Sequence, residues 1–397
     1  MDKQKILNQA KIMKNWLTEI RRDFHKHPEL SMEEFRTQKK IIKYLEEMGI
    51  NNIYKVAQTG VVAIIKGEKP GKTVALRADM DALPIQDNKE TLYKSLTKGI
   101  MHACGHDAHM TILLGAAKML KSMEKEFKGT VKLFFQPAEE TIGGAKIMIE
   151  SGVLENPKVD TVIGLHVSPE IPVGQVGVKY DQMNASSDSI KIIIHGISTH
   201  GAYPHEGIDA IVVAGQVITA LQSIVSRNID PRDSAVVTLG TISGGTRGNI
   251  IANKVEMTGT IRTLDNHIRS SVIKNLTNIV KNVSEGLGAR GQLIVEEGYP
   301  HLVNSNKAVK MVEENARKLL GKENVNIIRH PSLGVEDFSY FLREIDGAFY
   351  RLGCRNEKTN VIHPTHNDLF DIDEDCLPIG VALQVSNALQ VLSGKNR

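Results

Sequence analysis

Hydrophobic and polar positions change period repeatedly along the chain. SMEEFRTQKKIIKYLEEMG (31–49) spaces its apolar residues as one helix face does. Ser31 with Glu34 reads as a capping box and Gly49 as the C-terminal stop. VVAIIKG (61–67) and TVALRA (73–78) are short apolar runs of strand type. DAHMTILLGAAKMLKSM (107–123) predicts a helix capped by Asp107. TVKLFFQ (130–136) predicts a strand closed by Pro137, GGAKIMIESG (143–152) a helix, and TVIGLHV (161–167) a strand. Alternation of this kind predicts an α/β fold, a mostly parallel sheet with helices on its faces.

The middle of the chain has a different order. SDSIKIIIHG (187–196) is a predicted strand, IDAIVVAGQVITALQSIVSR (208–227) a long helix, SAVVTLGTISGG and NKVEMTGTIRTL two strands joined by a Gly-rich turn. A helix at 266–288 and a strand in QLIVEEGYP follow. The order βαββαβ is the split βαβ, ferredoxin-like unit, and its six elements need nothing from outside. After it, a helix at 306–320 and a strand near AFYRLG (348–353) resume the first pattern. The expected organisation is a catalytic domain at 1–182 and 297–397, interrupted by an inserted domain at 183–296.

Composition narrows the function. With 49 Lys plus Arg against 46 Asp plus Glu, the chain has no global field for nucleic acid or an anionic membrane. No apolar run approaches the roughly 20 residues of a membrane span, and MDKQKILNQAKIMKNWL reads as an amphipathic surface helix, not a secretory leader. Cys104, Cys354 and Cys376 are too few and odd in number for a disulfide framework, so a reducing cytoplasm is the expected setting.

Three predicted strands end in ligand-type residues: one runs into Asp79 and Asp81, one into Glu139 and Glu140, and one ends at His166. Open α/β sheets bind ligands beyond the carboxyl ends of their strands. In MHACGHDAH (101–109), Gly105 lets Cys104 and His106 converge, and a thiolate with an imidazole suits zinc or a similar late divalent ion. The two glutamates can divide two jobs, one binding a cation and the other free as a general base. HPTHNDLFDIDE adds His363 and His366. Cys354 and Cys376 have no such neighbours and read as structural.

RADMDALP, MHACGHDAH, QPAEE, GLHV and the C-terminal His followed by FDIDE resemble the dinuclear metal amidohydrolases of the aminoacylase and carboxypeptidase G type. The nearest branch holds hippurate hydrolases, N-acetyl-amino-acid deacetylases and indole-acetyl-amino-acid hydrolases. The motifs span residues 25 to 374 in family order. The resemblance implies a zinc-exopeptidase-like α/β domain whose insert is a lid and dimerisation domain. It implies Cys104, His106, Glu140, His166 and His366 as ligands of two divalent ions, with zinc, manganese, cobalt and nickel all suitable. The resemblance favours His366 over His363, because His366 stands four residues before Phe370, the spacing the family uses. Glu139 is implied as general base, Asp81 as the carboxylate that orients the site, His200 as the group that polarises the scissile carbonyl, and Asn249 and Arg262 as contacts to the substrate carboxylate. Where related zinc peptidases have a His, this chain has Asp79, and His106 takes over that ligand's place.

The implied activity is cleavage of an N-acyl amino acid, a small-molecule substrate, by a homodimer joined through the insert. A carboxypeptidase or dipeptidase is the same-chemistry alternative. A metal-dependent binding protein without catalysis is the third reading, and Glu139 argues against it, since binding needs no free base.

Overall fold

The computed structural model of the chain describes residues 3–394. In chain order it opens with helices α1 (Lys3–Ile12), α2 (Lys14–Lys26) and α3 (Phe35–Glu47). Strands β1 (Ile53–Val56), β2 (Gly60–Lys66) and β3 (Lys69–Asp79), helix α4 (His106–Ser122), strand β4 (Lys128–Gln136), helix α5 (Gly144–Glu150), and strands β5 (Thr161–Pro172) and β6 (Val176–Val178) follow. After β7 (Asp181–Asn184) come β8 (Ser186–His195), α6 (Ala210–Arg227), β9 (Ala235–Gly244), β10 (Lys254–Thr263), α7 (Asn266–Gly286) and β11 (Arg290–Glu297). Strand β12 (Leu302–Asn304), helix α8 (Asn306–Leu320), β13 (Val325–Ile327), α9 (Ser339–Glu344), β14 (Gly347–Arg355) and α10 (Cys376–Leu392) are the last elements among the described residues.

Two compact units result. The first comprises the segment ending at Asp181, Val303–Arg329 and the segment beginning at Asp337; the second comprises Gln182–Leu302 and His330–Glu336. The sequence pattern leaves 330–336 with the catalytic domain, but the structure groups it with the insert. The Ser332 N–H donates to the Met183 carbonyl at 2.8 Å, and the Ala185 N–H to the Ser332 carbonyl at 3.0 Å.

Among the described residues, the first unit holds an eight-stranded sheet in the order β1-β2-β4-β3-β5-β14-β6-β13. Its centre is parallel, β4 with β3, β3 with β5 and β5 with β14, while β2 joins β4 and β6 joins β14 in antiparallel pairs. The central strands are apolar on both faces, as a covered parallel sheet requires. Helix α4 is buried almost all round, packed against α10 and the sheet. Met110, Ile112, Leu113, Leu114 and Leu120 are all shielded, and each such side chain contributes about 1.5–3 kcal/mol by burial. At Gly115 the helices meet so closely that a Cβ would lie 2.5 Å from Val381 Cγ2.

Two predicted helix starts are overturned. Helix α3 begins at Phe35, and its first-turn N–H groups are capped not by Ser31 or Glu34 but by the Glu29 carboxylate, which accepts from Arg36 at 2.9 Å and Thr37 at 2.8 Å. Ser31 and Glu34 serve distant partners instead, Ser31 donating to Asp81 and Glu34 accepting from the Thr59 hydroxyl. Helix α4 is entered from Gly105 in a left-handed conformation, and Asp107 lies inside its first turn, not before it.

The second unit holds a four-stranded antiparallel sheet, β11-β8-β10-β9. Helices α6 and α7 touch each other and pack on it. Asp209 and Asp265 cap them, each accepting two N–H groups of the first turn. The core joins Ile190, Ile192 and Ile194 to Val213, Val217, Leu221, Met257 and Leu276. By length and composition alone α6 is apolar enough to cross a membrane, but Val213, Val217, Leu221 and Ile224 are packed inside the unit.

Candidate functional site

Strand β3 ends at Asp79, with Asp81 two residues on, and β4 ends at Gln136, three residues before Glu139. In the parallel register Asp79 stands opposite Gln136, and Arg77 opposite Gly164, which sets His166 level with Asp79. His166 does not close its strand as the sequence suggests. Strand β5 runs on to Pro172, and His166 pairs with Arg351 of β14, while the pairing of β5 with β3 stops at Gly164.

Gly105 has φ +86°, and a Cβ there would lie 2.3 Å from Val167 Cγ2, so this turn accepts only glycine. The turn brings Cys104 Sγ to 3.3 Å from His166 Nε2. His106 Nδ1 donates to the Asp81 carbonyl at 2.8 Å, and His166 Nδ1 to the Val167 carbonyl at 2.6 Å. Each ring therefore keeps Nε2 for another task, and His106 Nε2 is buried with no hydrogen bond. A metal-ligating histidine has this arrangement, one nitrogen fixed by the protein and the other free for the ion. Glu140 Oε1 lies 3.3 Å from His366 Nε2 and 3.9 Å from His106 Nε2.

Donor atoms within 4.8 Å of one another form the groups Cys104–His106–His166, Cys104–Glu140–His366 and His106–Glu139–Glu140. The groups share Cys104, His106 and Glu140, so they mark adjoining positions. His363 joins no such group among the described residues. His366 has φ +63°, outside the usual range for its type, and its N–H is tied to the Ala103 carbonyl at 2.8 Å.

Asp81 organises the glutamates through their backbones. Its two oxygens accept the Glu139 N–H at 3.1 Å and the Glu140 N–H at 3.0 Å, and Ser31 donates to it at 2.6 Å. Ala138, just before them, has φ +53° and gives its N–H to Glu34 at 3.0 Å. Glu139 itself is buried, with Oε1 3.4 Å from the Asp337 N–H.

Charge follows the geometry. Burial opposes a proton on His106, but Asp79, Asp81 and Glu140 around it raise its pKa to about 10. Glu140 raises that of His366. Burial, reinforced by Glu140 and Glu139, pushes the Cys104 thiol well up. Burial with the neighbouring His109 and Arg351 holds His166 neutral. Without a cation, protons thus occupy several donors of one acidic pocket, and a divalent ion would displace them. The mixture of thiolate, imidazole and carboxylate donors, with one nitrogen left bare, fits such an ion.

Asp79, His106 and His109 also come together, but two of these groups are already committed. His109 Nδ1 donates to Asp79 at 2.6 Å while its Nε2 accepts the Val167 N–H at 2.9 Å, and Arg77 holds the other Asp79 oxygen at 2.6 Å. The pair braces the strand ends behind the donors. Sequence reasoning passes over Arg77, His109 and Asp337. The available signal is periodicity: His109 is one helical turn beyond His106, and Arg77 shares a strand face with Asp79.

The remaining candidates lie in the second unit. His200 is exposed, its backbone bridged to Ile250, with Nδ1 accepting the Ala202 N–H at 3.0 Å. Asn249 is beside it, accepting the Gly201 N–H at 2.8 Å. Arg262 is on β10, where burial lowers its pKa and Nη1 has no hydrogen bond. Lys254 pairs with His195 at one end of β10 and Arg262 with Ser187 at the other. Eight residues of strand, about 26 Å, separate these ends, so the unit does not bring Arg262 together with His200 and Asn249.

The sequence profile described as Peptidase family M20/M25/M40 matches residues 75–390. The chain is 40% identical to thermostable carboxypeptidase 1 of Saccharolobus solfataricus over 398 aligned residues, 99% of each chain. It is 43% identical to N-acetyl-L-cysteine deacetylase of Bacillus subtilis, over 90% of this chain and 84% of that one. A solved Bacillus subtilis structure, described as a dinuclear metal binding peptidase from the M20 family, superposes with a TM-score of 0.84 at 35% identity, covering 96% and 99% of the two chains.

Proposed function

The chain belongs to peptidase family M20/M25/M40, and from that premise we propose that it hydrolyses N-acyl amino acids to a carboxylic acid and a free amino acid. Two divalent cations, for which zinc, manganese, cobalt and nickel are all suited, supply Lewis acidity and ease the deprotonation of water. Cys104, His106, Glu140, His166 and His366 would hold them. Glu139 takes the proton of the attacking water and passes it to the leaving nitrogen. The observation that carries this reading is Glu139 itself: a buried carboxylate within 4.8 Å of the His106 and Glu140 donors, its backbone pinned by Asp81. A binding site would need no such base.

Arg262 offers the substrate's free carboxylate a half-buried guanidinium with an unspent nitrogen. His200 and Asn249 lie at the far end of the same sheet, which favours a homodimer in which they serve the partner's site. Exposed Ile211 and Val212 on α6 and Ile242 on edge strand β9 give the second unit an apolar surface for that contact. The free, buried Cys104, Cys354 and Cys376 suit a reducing, cytoplasmic setting. A carboxypeptidase acting on short peptides is the second reading, favoured by 40% identity to the Saccharolobus carboxypeptidase over 99% of both chains.

Turnover of acetyl- and benzoyl-amino acids against a dipeptide panel separates the two. Faster cleavage of every dipeptide would reject the first. Mixing Glu139→Gln with His200→Ala subunits tests the shared site. Random pairing should restore up to about a quarter of unaltered activity, and no recovery despite proven subunit exchange would reject sharing.

A further inference from the structure

No part of the Arg21 side chain reaches solvent, although it is a charged residue on α2. Its Nε donates to Asp107 at 2.8 Å, its Nη2 to Asp371 at 2.7 Å, and its Nη1 lies 3.5 Å from Glu374. A buried guanidinium is tolerated only when well-placed carboxylates offset its lost hydration. The carboxylates chosen here belong to the two turns that carry metal donors. Asp107 follows His106, and its second oxygen accepts the Ala108 N–H at 2.9 Å, fixing the first turn of α4. Asp371 closes the segment that begins at His366, accepting the Ile372 N–H at 2.9 Å and the Tyr93 hydroxyl at 2.7 Å.

One helical turn along α2, His25 makes a parallel connection. Its Nδ1 is 2.6 Å from the same Asp107 oxygen, and its Nε2 is 2.9 Å from Lys89 Nζ, which also donates to the Phe370 carbonyl at 2.7 Å. An ammonium only donates, so His25 accepts at Nε2 and donates at Nδ1. Two side chains of one helix therefore each link residue 107 to residues 370–371. Cys104 and His366 must present donors to one cation, and a single backbone bond between them, from His366 N–H to the Ala103 carbonyl, joins their turns directly.

We propose that Arg21 and His25 are positioning residues of the metal centre, holding the Cys104–His106 turn and the His366 turn at the separation a shared cation requires. The proposal rests on the metal-centre reading and names neither residue as a ligand. Loosening the brace leaves every donor in place but costs the ion their preorganisation.

The test is zinc affinity, by competition with a chelator, alongside the melting temperature of the metal-free protein, for Arg21→Lys, Arg21→Met, His25→Asn and Tyr93→Phe. Loss of such outer partners typically weakens metal binding by about 10–100-fold, and that range is expected for Arg21→Met. Arg21→Lys and His25→Asn, which keep part of the bonding, should fall between it and the unaltered protein. Tyr93→Phe removes only the hydroxyl on Asp371 and should give a small loss in a protein that folds even if Arg21→Met does not. Lys132→Met is the control. Lys132 is a buried lysine holding the Val153 and Glu155 carbonyls, so the change should lower the melting temperature and leave zinc affinity intact. If the α2 variants behave like this control, less stable but with unchanged affinity, the positioning role is overturned. Failure of the unaltered protein to take up zinc would instead overturn the metal-centre reading beneath it.

Discussion

The candidate groups of the first unit are held from behind, and those of the second are not. His106 and His166 each spend one ring nitrogen on a backbone carbonyl, Asp81 pins the backbones of both glutamates, and Arg21 and His25 fasten the turn behind Cys104 and His106. In the second unit His200 is exposed and bonded at Nδ1 to an N–H two residues away, while Arg262 Nη1 has no hydrogen bond. The first arrangement is complete before any ligand arrives except for the ions it would hold. The second leaves one guanidinium nitrogen, Arg262 Nη1, without a hydrogen bond. Preorganised electrostatics suit the reacting bond, whereas recognition can wait for the substrate.

The largest effect should come from the centre of the first region. Glu139→Gln removes the proposed base and no ligand, so kcat should fall by roughly 10²–10⁴-fold with both ions retained by elemental analysis. Glu140→Gln should lower metal content first and activity as a consequence. Exchanged phenotypes would reverse the two assignments.

Arg262→Ala probes the other region and should cost less. A charge-assisted hydrogen bond to a carboxylate is worth about 1.5–3 kcal/mol, or about 10–150-fold in kcat/KM, with metal content unchanged. Substrates whose carboxylate is amidated should lose the same factor with the unaltered enzyme and nothing further with the variant. Lost metal in Arg262→Ala would break the contrast, because it would make the proposed recognition residue part of the centre.

Much of the fold is legible in the sequence because apolar runs and periodic faces are local signals. Strand β4 and helices α6, α7 and α8 lie within a few residues of the spans their patterns predict. The two overturned helix starts share one cause, a polar residue committed to a distant partner. Ser31 and Glu34 have the spacing of a capping box, yet their oxygens serve Asp81, Thr59 and the Ala138 N–H. Asp107 looks like a cap and is the anchor of Arg21. Some candidate donors are visible because a predicted strand runs into Glu139 and Glu140 and Gly105 marks the turn of Cys104 and His106, whereas His166 lies inside β5 and His366 is singled out by the family resemblance. The brace behind them is not visible, because Arg21 and Asp371 stand 350 residues apart and no local pattern links them.

The smallest effect is a proton count. With His106 raised to about 10 by Asp79, Asp81 and Glu140 against the cost of burial, and with the Cys104 thiol raised by burial first, both groups keep their protons at pH 8 in the metal-free protein. A cation needs the thiolate and the neutral ring, so loading the centre at that pH should release about two protons. The sign follows for stability. His106 has its pKa raised on folding, so in the metal-free protein its contribution is fully present below its ordinary value near 6.5 and is lost as pH rises through about 10. Cation affinity runs the other way, rising about tenfold per pH unit for each proton displaced until the groups ionise unaided. Calorimetric titration with zinc in two buffers of different ionisation enthalpy measures the release. His200→Ala should leave the count unchanged, since His200 belongs to the second unit and contributes to none of the donor groups. His106→Ala should lower it by about one, and a count near zero in the unaltered protein would show that the pocket is already deprotonated before the ion arrives.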